Sequence, residues 1–317
     1  MTRGPFWWEE VERYRNPGAV FDSLKCADII KFRLPIPPLQ VQVGIADLLG
    51  ALDDKIELNR RMAETLEGMA RAIFKSWFVD FDPVRAKAEG RPTGLPDDLA
   101  ALFPDRFGKD GLPEGWHERP LTEFLSIIGG GTPKTSVPEY WNGAIPWFSV
   151  TDTPPAGSVF VIKTEKNITA KGMHESSAQL VPKGTTIISA RGTVGNLAVA
   201  GQDMTFNQSC YALRGNGAVG NSFTYLAAQH MVGQLQSKAH GSVFSTVTRQ
   251  TFESVTLPKP DDGLLHEFEL ATTPIFDQIL VSVREVQTLA ALRDTLLPKL
   301  ISGELRIGDA EQRIAAA

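Results

Sequence analysis

An apolar stripe with heptad spacing occurs twice in this chain, and a stripe of that length cannot be buried in one ordinary globular core. The first runs through Ile45, Leu49, Leu52, Ile56, Asn59, Ala63, Leu66, Ala70, Ile73 and Trp77, with spacings that alternate between four and three. Such a pattern predicts a coiled-coil seam, with Asn59 resisting register slips at some cost in stability. A helix from about Val41 to Asp80 spans roughly 60 Å at ~1.5 Å per residue. The second stripe carries Phe268, Ile275, Ile279, Val286, Leu289 and Leu296, with Ser282 at the place of Asn59. The copies are 223 residues apart, and the offset extends to the strings before them. Gly18-Ala19-Val20-Phe21 returns as Gly241-Ser242-Val243-Phe244, and Leu34-Pro35-Ile36-Pro37 as Leu257-Pro258-Lys259-Pro260. A duplicated module suggests a two-fold arrangement, and the economical way to bury two single seams is against each other.

The prolines set the expected limits. Leu34 to Pro38 fixes an extended approach to the first helix. Thr273-Pro274 predicts a kink or a new start in the second helix, and Pro298 with Ser302-Gly303 predicts its stop. Prolines and glycines scattered from Pro83 to Gly111 read as a linker, with one short helical patch at Asp97 to Phe103. From Leu112 to Pro258 the texture changes to short apolar runs punctuated by glycine. Val159–Ile162, Thr185–Ser189, Leu197–Ala200, Cys210–Leu213 and Val255–Leu257 read as strands, and Phe223–Gln236 as a helix. The fold class is α+β: a mixed α/β domain plus two long antiparallel coiled-coil helices.

Composition narrows the function classes. The chain is 42% hydrophobic and 22% charged, the balance of a soluble globular protein. No run approaches the roughly 18 apolar residues of a membrane span. The start is acidic and aromatic, unlike a secretory signal, so a cytoplasmic protein is expected. Cys26 and Cys210 are too few and too far apart for a disulfide framework or a zinc site. Net charge is -5, yet Pro113 to Pro258 holds ten Lys/Arg against nine Asp/Glu. A nucleic-acid partner therefore has to be met by a local surface rather than a global field.

Strings that imitate catalytic motifs each lack a required residue. Gly215 to Ser222 has Asn221 where a phosphate-binding lysine should stand, and a turn is the better reading. Gly129-Gly130-Gly131-Thr132-Pro133 is followed by prolines instead of a helix start, which favours a loop allowing close backbone approach. Asp53-Asp54-Lys55 resembles the end of a nuclease site but has no partner acid nearby in sequence. It reads as a solvated helix face. The five histidines show no metal-ligand spacing, and no S-adenosylmethionine loop or methyltransferase signature is present. The chain reads as a non-catalytic binding domain set on a long helical spacer.

Those features converge with specific strings. Ile45-Ala46, Leu52-Asp53-Asp54-Lys55-Ile56, Asn59 and the ending Phe74-Lys75-Ser76-Trp77-Phe78-Val79-Asp80-Phe81 resemble the central conserved region of the DNA-specificity subunits (HsdS family) of type I restriction-modification systems. Arg293 to Glu304 resembles the distal conserved region of that family. Leu112-Pro113-Glu114-Gly115-Trp116, Gly130 to Pro133, Tyr140-Trp141, Ile145-Pro146-Trp147, Ser189 to Gly195 and Asn207-Gln208 are similar to a target-recognition domain. Family members ordinarily carry two such domains. The expected organisation is a remnant of a first recognition domain (1–34), a central helical region (35–85), a linker (86–111), a recognition domain (112–258), a distal helical region (259–306) and a tail (307–317).

The resemblance implies a subunit that reads one half of a split site in double-stranded DNA and docks modification (methyltransferase) and restriction subunits. S-adenosylmethionine, ATP and Mg would be bound by those partners, and this chain would need no cofactor and no metal. Self-pairing of half-subunits is a further partner mode it allows. A truncated scaffold or assembly protein that no longer reads DNA is the alternative. DNA-contact candidates are Lys134, Thr135, Ser149, Thr151, Asp152, Arg191, Thr193, Gln208, Ser242 and Thr246, polar residues in loops able to reach base edges or phosphates. Ser189, Asn207 and Gln208 could equally satisfy turn backbone. Tyr140, Trp141 and Trp147 either stack on bases or fill the core, and Arg60-Arg61 either meets a partner or faces solvent.

Overall fold

The computed structural model describes residues 5–18, 21–34, 36–155, 157–239 and 246–315, in two compact units. One comprises residues 1–59 and 284–317, and the other residues 60–283. In chain order the helices and strands are α1 (Pro5–Tyr14), α2 (Cys26–Ile29), α3 (Leu39–Phe78), α4 (Asp82–Ala88), α5 (Asp97–Ala100), β1 (His117–Pro120), α6 (Leu121–Phe124), β2 (Leu125–Gly129), β3 (Trp141–Phe148), β4 (Phe160–Val161) and β5 (Lys166–Ile168). There follow α7 (Ala170–His174), β6 (Thr186–Ser189), β7 (Leu197–Ala200), β8 (Thr205–Phe206), β9 (Cys210–Gly215), α8 (Asn221–Ala239), α9 (Arg249–Glu253), β10 (Thr256–Lys259), α10 (Asp262–Ser302) and α11 (Ile307–Ala315). The chain is thus α+β, with two helices of about forty residues. The offset of 223 recurs in the structure: α3 begins at Leu39 and α10 at Asp262, α2 at Cys26 and α9 at Arg249.

In the first unit the early part of α3 and the late part of α10 run antiparallel. Ile45, Leu52 and Ile56 share a buried cluster with Leu289, Leu296 and Leu300, and Leu49 and Val286 pack against it half-buried. Ion pairs zip the edge: Arg293 reaches Asp53 at 2.6 Å and Lys55 reaches Glu285 at 2.5 Å. Hydrogen bonding from Lys55 holds the Glu285 carboxyl below its usual range. Asp53 and Lys55, read as a solvated face, are exposed but tied across the helix pair. Exposed pairs of this kind contribute at most about 1 kcal/mol, so burial of the seam supplies most of the cohesion. Asn59 is buried at 6% exposure.

In the second unit the remaining halves of the same helices pair antiparallel, with Ser282 near Met62 and Phe268 near Trp77. Ala63 and Ala70 are buried, Ser282 and Ile279 are sealed, and Leu66, Ile73 and Ile275 are half-buried. Here the seam does more than join two helices. Phe268 is fully buried, and its ring meets those of Phe74, Trp77, Phe78 and Phe223 at 6.1, 5.6, 5.0 and 6.0 Å. Phe223 lies on α8, so one core joins the helix pair to the strand-bearing domain. A polar network adds to it. The buried Glu67 Oε1 accepts from Tyr225 Oη at 3.0 Å, Gln229 Nε2 at 2.8 Å and Arg71 Nη2 at 2.9 Å. Burial, then the Glu67 charge, push the Tyr225 phenol upward.

Three expectations are corrected. α10 makes no new start at Pro274 and does not stop at Pro298, ending instead at the expected Ser302-Gly303, where Gly303 has φ 75°. Each proline removes an amide that would bond the carbonyl four residues back, here Leu270 and Asp294. Both prolines and both of those residues are exposed, so water can serve the orphaned carbonyls. The stretch read as a linker is folded: Phe103 is buried against Trp77 at 5.3 Å, Phe107 meets Phe81, and Lys87 Nζ donates to the Phe103 carbonyl at 2.6 Å. The strand expected at Val159–Ile162 shrinks to β4, while β1, β2, β3, β5 and β8 arise from stretches without a clean alternation. Pairing across sheets, not local pattern, made them strands.

The strands form three sheets in the second unit. One has the order β2-β9-β6-β7-β4, the second β5-β3-β8, and β1 pairs with β10. β9 lies between β2 and β6, antiparallel to both, with Gly129 opposite Tyr211 and Ser189 opposite Cys210. β3 and β8 run parallel, with Phe148 opposite Phe206.

Candidate nucleic-acid interface

These registers bring four chain segments to one end of the sheets: those leaving β2, β3 and β6, and the one joining β8 to β9. Main-chain bonds tie them together there. Gly131 N donates to the Phe206 carbonyl at 3.0 Å, Asn207 N to Phe148 at 2.9 Å, Ala190 N to Ser209 at 2.8 Å, and Val247 N to Ala190 at 2.9 Å. The glycines at the base are sterically required. A Cβ on Gly130 would stand 2.0 Å from the Asn207 carbonyl oxygen, and one on Gly131 2.2 Å from the Ser177 backbone. Trp147 Nε1 donates to the Gly131 carbonyl at 2.9 Å and fixes that loop from below. The close backbone approach read from the glycine run is therefore real, and it serves loop packing.

On this base the candidate residues separate into two groups. Lys134 and Thr135 are exposed beyond the glycine base. Arg191 and Thr193 are exposed on a turn through Gly192, φ 76°, and Gly195, φ 93°. Among the described residues neither Lys134 nor Arg191 is held in an ion pair. Gln208 is exposed and its Oε1 is met by the Thr132 hydroxyl. Half-buried Thr246 forms a bridge with Arg191. Thr151 is exposed at the same end, its hydroxyl 2.7 Å from Ser149 Oγ. Lys134, Arg191, Thr193, Gln208 and Thr151 thus share one rim.

Ser149 and Asp152 are engaged within the fold. They form a capping box on a short 3-10 turn, with Ser149 N and Oγ donating to Asp152 Oδ2 at 2.8 and 2.9 Å. Asp152 Oδ1 accepts from Glu165 N at 2.7 Å, so both carboxylate oxygens hold backbone. Ser189 and Asn207 likewise satisfy turns: Ser189 Oγ accepts from Asn196 N at 2.9 Å, and Asn207 Oδ1 from Ser209 N at 3.0 Å. Tyr140 and Trp147 are buried, and half-buried Trp141 packs edge-on to Trp147 at 5.2 Å. These aromatics fill a core rather than offer a stacking platform. Ser242 lies outside the described residues. Arg60 and Arg61 are exposed on α3.

One rim residue was missed. Arg249 opens α9 two residues after Val247, is exposed, and its Nη2 donates to the Ile127 carbonyl at 2.9 Å. It lies 58 residues after Arg191, and backbone pairing of Thr246 and Val247 with Arg191 and Ala190 brings the two segments together. No local signal marked it.

The rejected motifs have structural accounts. Gly215 ends β9 in a turn so tight that a Cβ would lie 1.9 Å from the Val219 carbonyl oxygen, with Gly217 at φ 60°. Among the described residues no group of three His, Cys, Asp or Glu is placed to hold a metal ion. Cys210 is buried beneath the rim, and burial, then the Asp152 charge, push its thiol up to about 12. No helix among the described residues is long and apolar enough to cross a membrane.

The family profile described as the type I restriction modification DNA specificity domain matches residues 11–68 and 113–263. The chain belongs to this family. The matched segments take in most of α3 and the whole rim. This family member is 29% identical over 334 residues to the HindI specificity subunit of Haemophilus influenzae, covering 91% of this chain and 71% of that protein. It is 25% identical over 303 residues to the MjaIX specificity subunit of Methanocaldococcus jannaschii, covering 92% of this chain and 64% of the relative. Its fold is similar to that of the crystal structure of a type I restriction-modification S subunit from M. genitalium, with a TM-score of 0.56 at 17% identity, covering 93% of this chain and 70% of that one.

Proposed function

We propose that this specificity-family chain is the DNA-reading subunit of a type I restriction-modification complex and that its rim reads one half of a bipartite site. The observation that carries the reading is the rim itself: separate segments are fixed at their bases by main-chain bonds and close glycine contacts, while Lys134, Arg191, Thr193 and Gln208 stay exposed. Rigid bases with free polar tips suit direct readout, in which each good bidentate base contact is worth about 1–3 kcal/mol of discrimination. Lys134, Arg191 and Arg249 supply phosphate contacts that set affinity and register. The helix pair holds the reader at a set place along the duplex. It also offers a rigid surface on which methyltransferase and restriction subunits dock. In this reading the chain does no chemistry: S-adenosylmethionine, ATP and Mg are held by those subunits.

Methylation mapping in a host carrying this gene and its modification partner tests the proposal. An asymmetric split motif is expected where a companion reader supplies the other half-site, and a symmetric one where half-subunits pair with each other. Absence of any methylated motif from an assembled complex would refute the reading and favour a scaffold that no longer reads DNA.

A further inference from the structure

A cavity in the second unit is not used by the rim. It measures about 440 Å³, the size of sites that take small molecules, and lies between α3, α8 and the end of the turn that carries Arg191. Glu67 of α3 lines it and is only 6% exposed. Tyr225, Gln229 and Arg71 all donate to Glu67 Oε1, and Oε2 accepts nothing among the described residues. A carboxylate oxygen withdrawn from bulk water and left without a donor is costly, so a donor in the cavity would be held firmly. The donors around it are already spent: Arg71 gives Nε to the Gln229 side-chain oxygen at 3.1 Å and Nη2 to Glu67. Asn196 and Ser158 also line the cavity, and their side chains, both able to accept, have no partner among the described residues. Pro154, Leu197 and Val232 add apolar wall. A second carboxylate stands beside this lining. Glu64, one turn earlier on α3, is exposed, and a Cβ added to Gly157 of the lining would lie 3.3 Å from the Glu64 Cβ.

We propose that this cavity binds a small aliphatic diamine, with one ammonium donating to Glu67 Oε2, the methylene chain against the apolar wall and the second ammonium reaching Glu64. An ammonium carries three donors and no acceptor, which matches a lining whose open groups accept. Residues three apart on a helix stand about 5–6 Å between Cβ atoms, a gap that a four-carbon stem covers. Two carboxylates against the single guanidinium of Arg71 leave the site negative, which disfavours an anion. A guanidinium ligand is less suited, because its two-pronged fork needs both oxygens of a carboxylate and only one of Glu67 is open. The site goes beyond the reading of the rim and needs no DNA. It does touch the rim mechanically: Gly195 to Leu197 line the cavity directly after the Arg191 turn, and Gln236 Nε2 on α8 donates to the Val194 carbonyl at 2.9 Å. A bound diamine therefore braces that turn.

Calorimetric titration of the full chain with diaminobutane, in the absence of nucleic acid, tests the site. Saturable binding of one diamine per chain is expected, tighter than that of butylamine, with slower amide exchange across residues 191–197. Glu67→Gln keeps an acceptor for Tyr225, Gln229 and Arg71 but turns a donor toward the ligand, and should weaken diaminobutane binding at least about tenfold. Glu64→Gln, at an exposed position that leaves the fold intact, should weaken diaminobutane about threefold and leave butylamine unchanged. If Glu67→Gln does not fold, the two amines on Glu64→Gln decide alone. Absence of saturable binding overturns the proposal, as does equal affinity for the two amines in the parent chain. Binding that both substitutions leave unaltered overturns it too, since the diamine would then sit elsewhere on an acidic surface.

Discussion

Replacing Lys134 and Arg191 by alanine, singly and together, separates phosphate contact from structural support at the rim. Both side chains are exposed, and neither is held in an ion pair among the described residues, so removal leaves no buried charge without a partner. Folding stability should therefore move by no more than about 0.5 kcal/mol. Binding should respond differently. Each lost phosphate contact removes about 0.9 from the slope of log affinity against log salt, so a fourfold rise in salt costs each variant about 3.5-fold less affinity than the parent. For the double variant the difference compounds to about 12-fold if the contacts are independent. The assay is fluorescence-anisotropy titration of the assembled complex with a duplex carrying the methylated motif, across a salt series. A slope unchanged in both single variants and in the double variant removes this rim from the phosphate backbone. A slope unchanged with discrimination between correct and altered sites lost would move the two residues to base edges.

Phe268→Ala should cost about 3–5 kcal/mol, because a sealed ring at the meeting point of α3, α8 and α10 is lost, whereas Leu270→Ala, at 56% exposure, should be near neutral; urea unfolding midpoints compare them. Equal midpoints would mean that the aromatic core is not what joins helix pair to reader. Gly130→Ala should displace the loop bearing Lys134 by forcing a Cβ against the Asn207 carbonyl, and specific DNA binding should fall more than non-specific binding in competition assays. Cys210, whose thiol is pushed up to about 12 by burial, stays protonated and shielded, so an alkylating reagent at pH 8 should label exposed Cys26 but not Cys210 in the native chain. Mass spectrometry reads both, and rapid native labelling of Cys210 would contradict the packing beneath the rim.

Much of this architecture was legible along the chain because coiled-coil pairing is written locally. Residues four and three apart fall on one helix face, so Ile45 through Ile56 and Leu289 through Leu296 declared their burial, and the shared offset declared a repeated unit. Proline was misleading for the same reason. Pro274 and Pro298 break a helix by local rules, but on an outward face the carbonyls they orphan are left to water, and a long packed stripe keeps the helix continuous through them. The seam pattern likewise gave no sign that Phe74, Phe78 and Phe268 would share a core with Phe223.

The rim was legible only in part. Glycines at 130, 131, 192 and 195 flagged turns, and polar residues beside them were natural candidates. Which of those residues remain free was decided by partners distant in sequence. Ser149 and Asp152 look like readers until Glu165 N, thirteen residues on, claims the carboxylate, and Arg249 looks unremarkable until Val247 pairs with Ala190. By itself the sequence determined the helices, their repeat and the family, since these rest on short-range periodicity and strings. Tertiary structure alone decided which side chains stay available to a ligand, since hydrogen bonds between separate strands and loops either occupy a polar group or leave it to solvent.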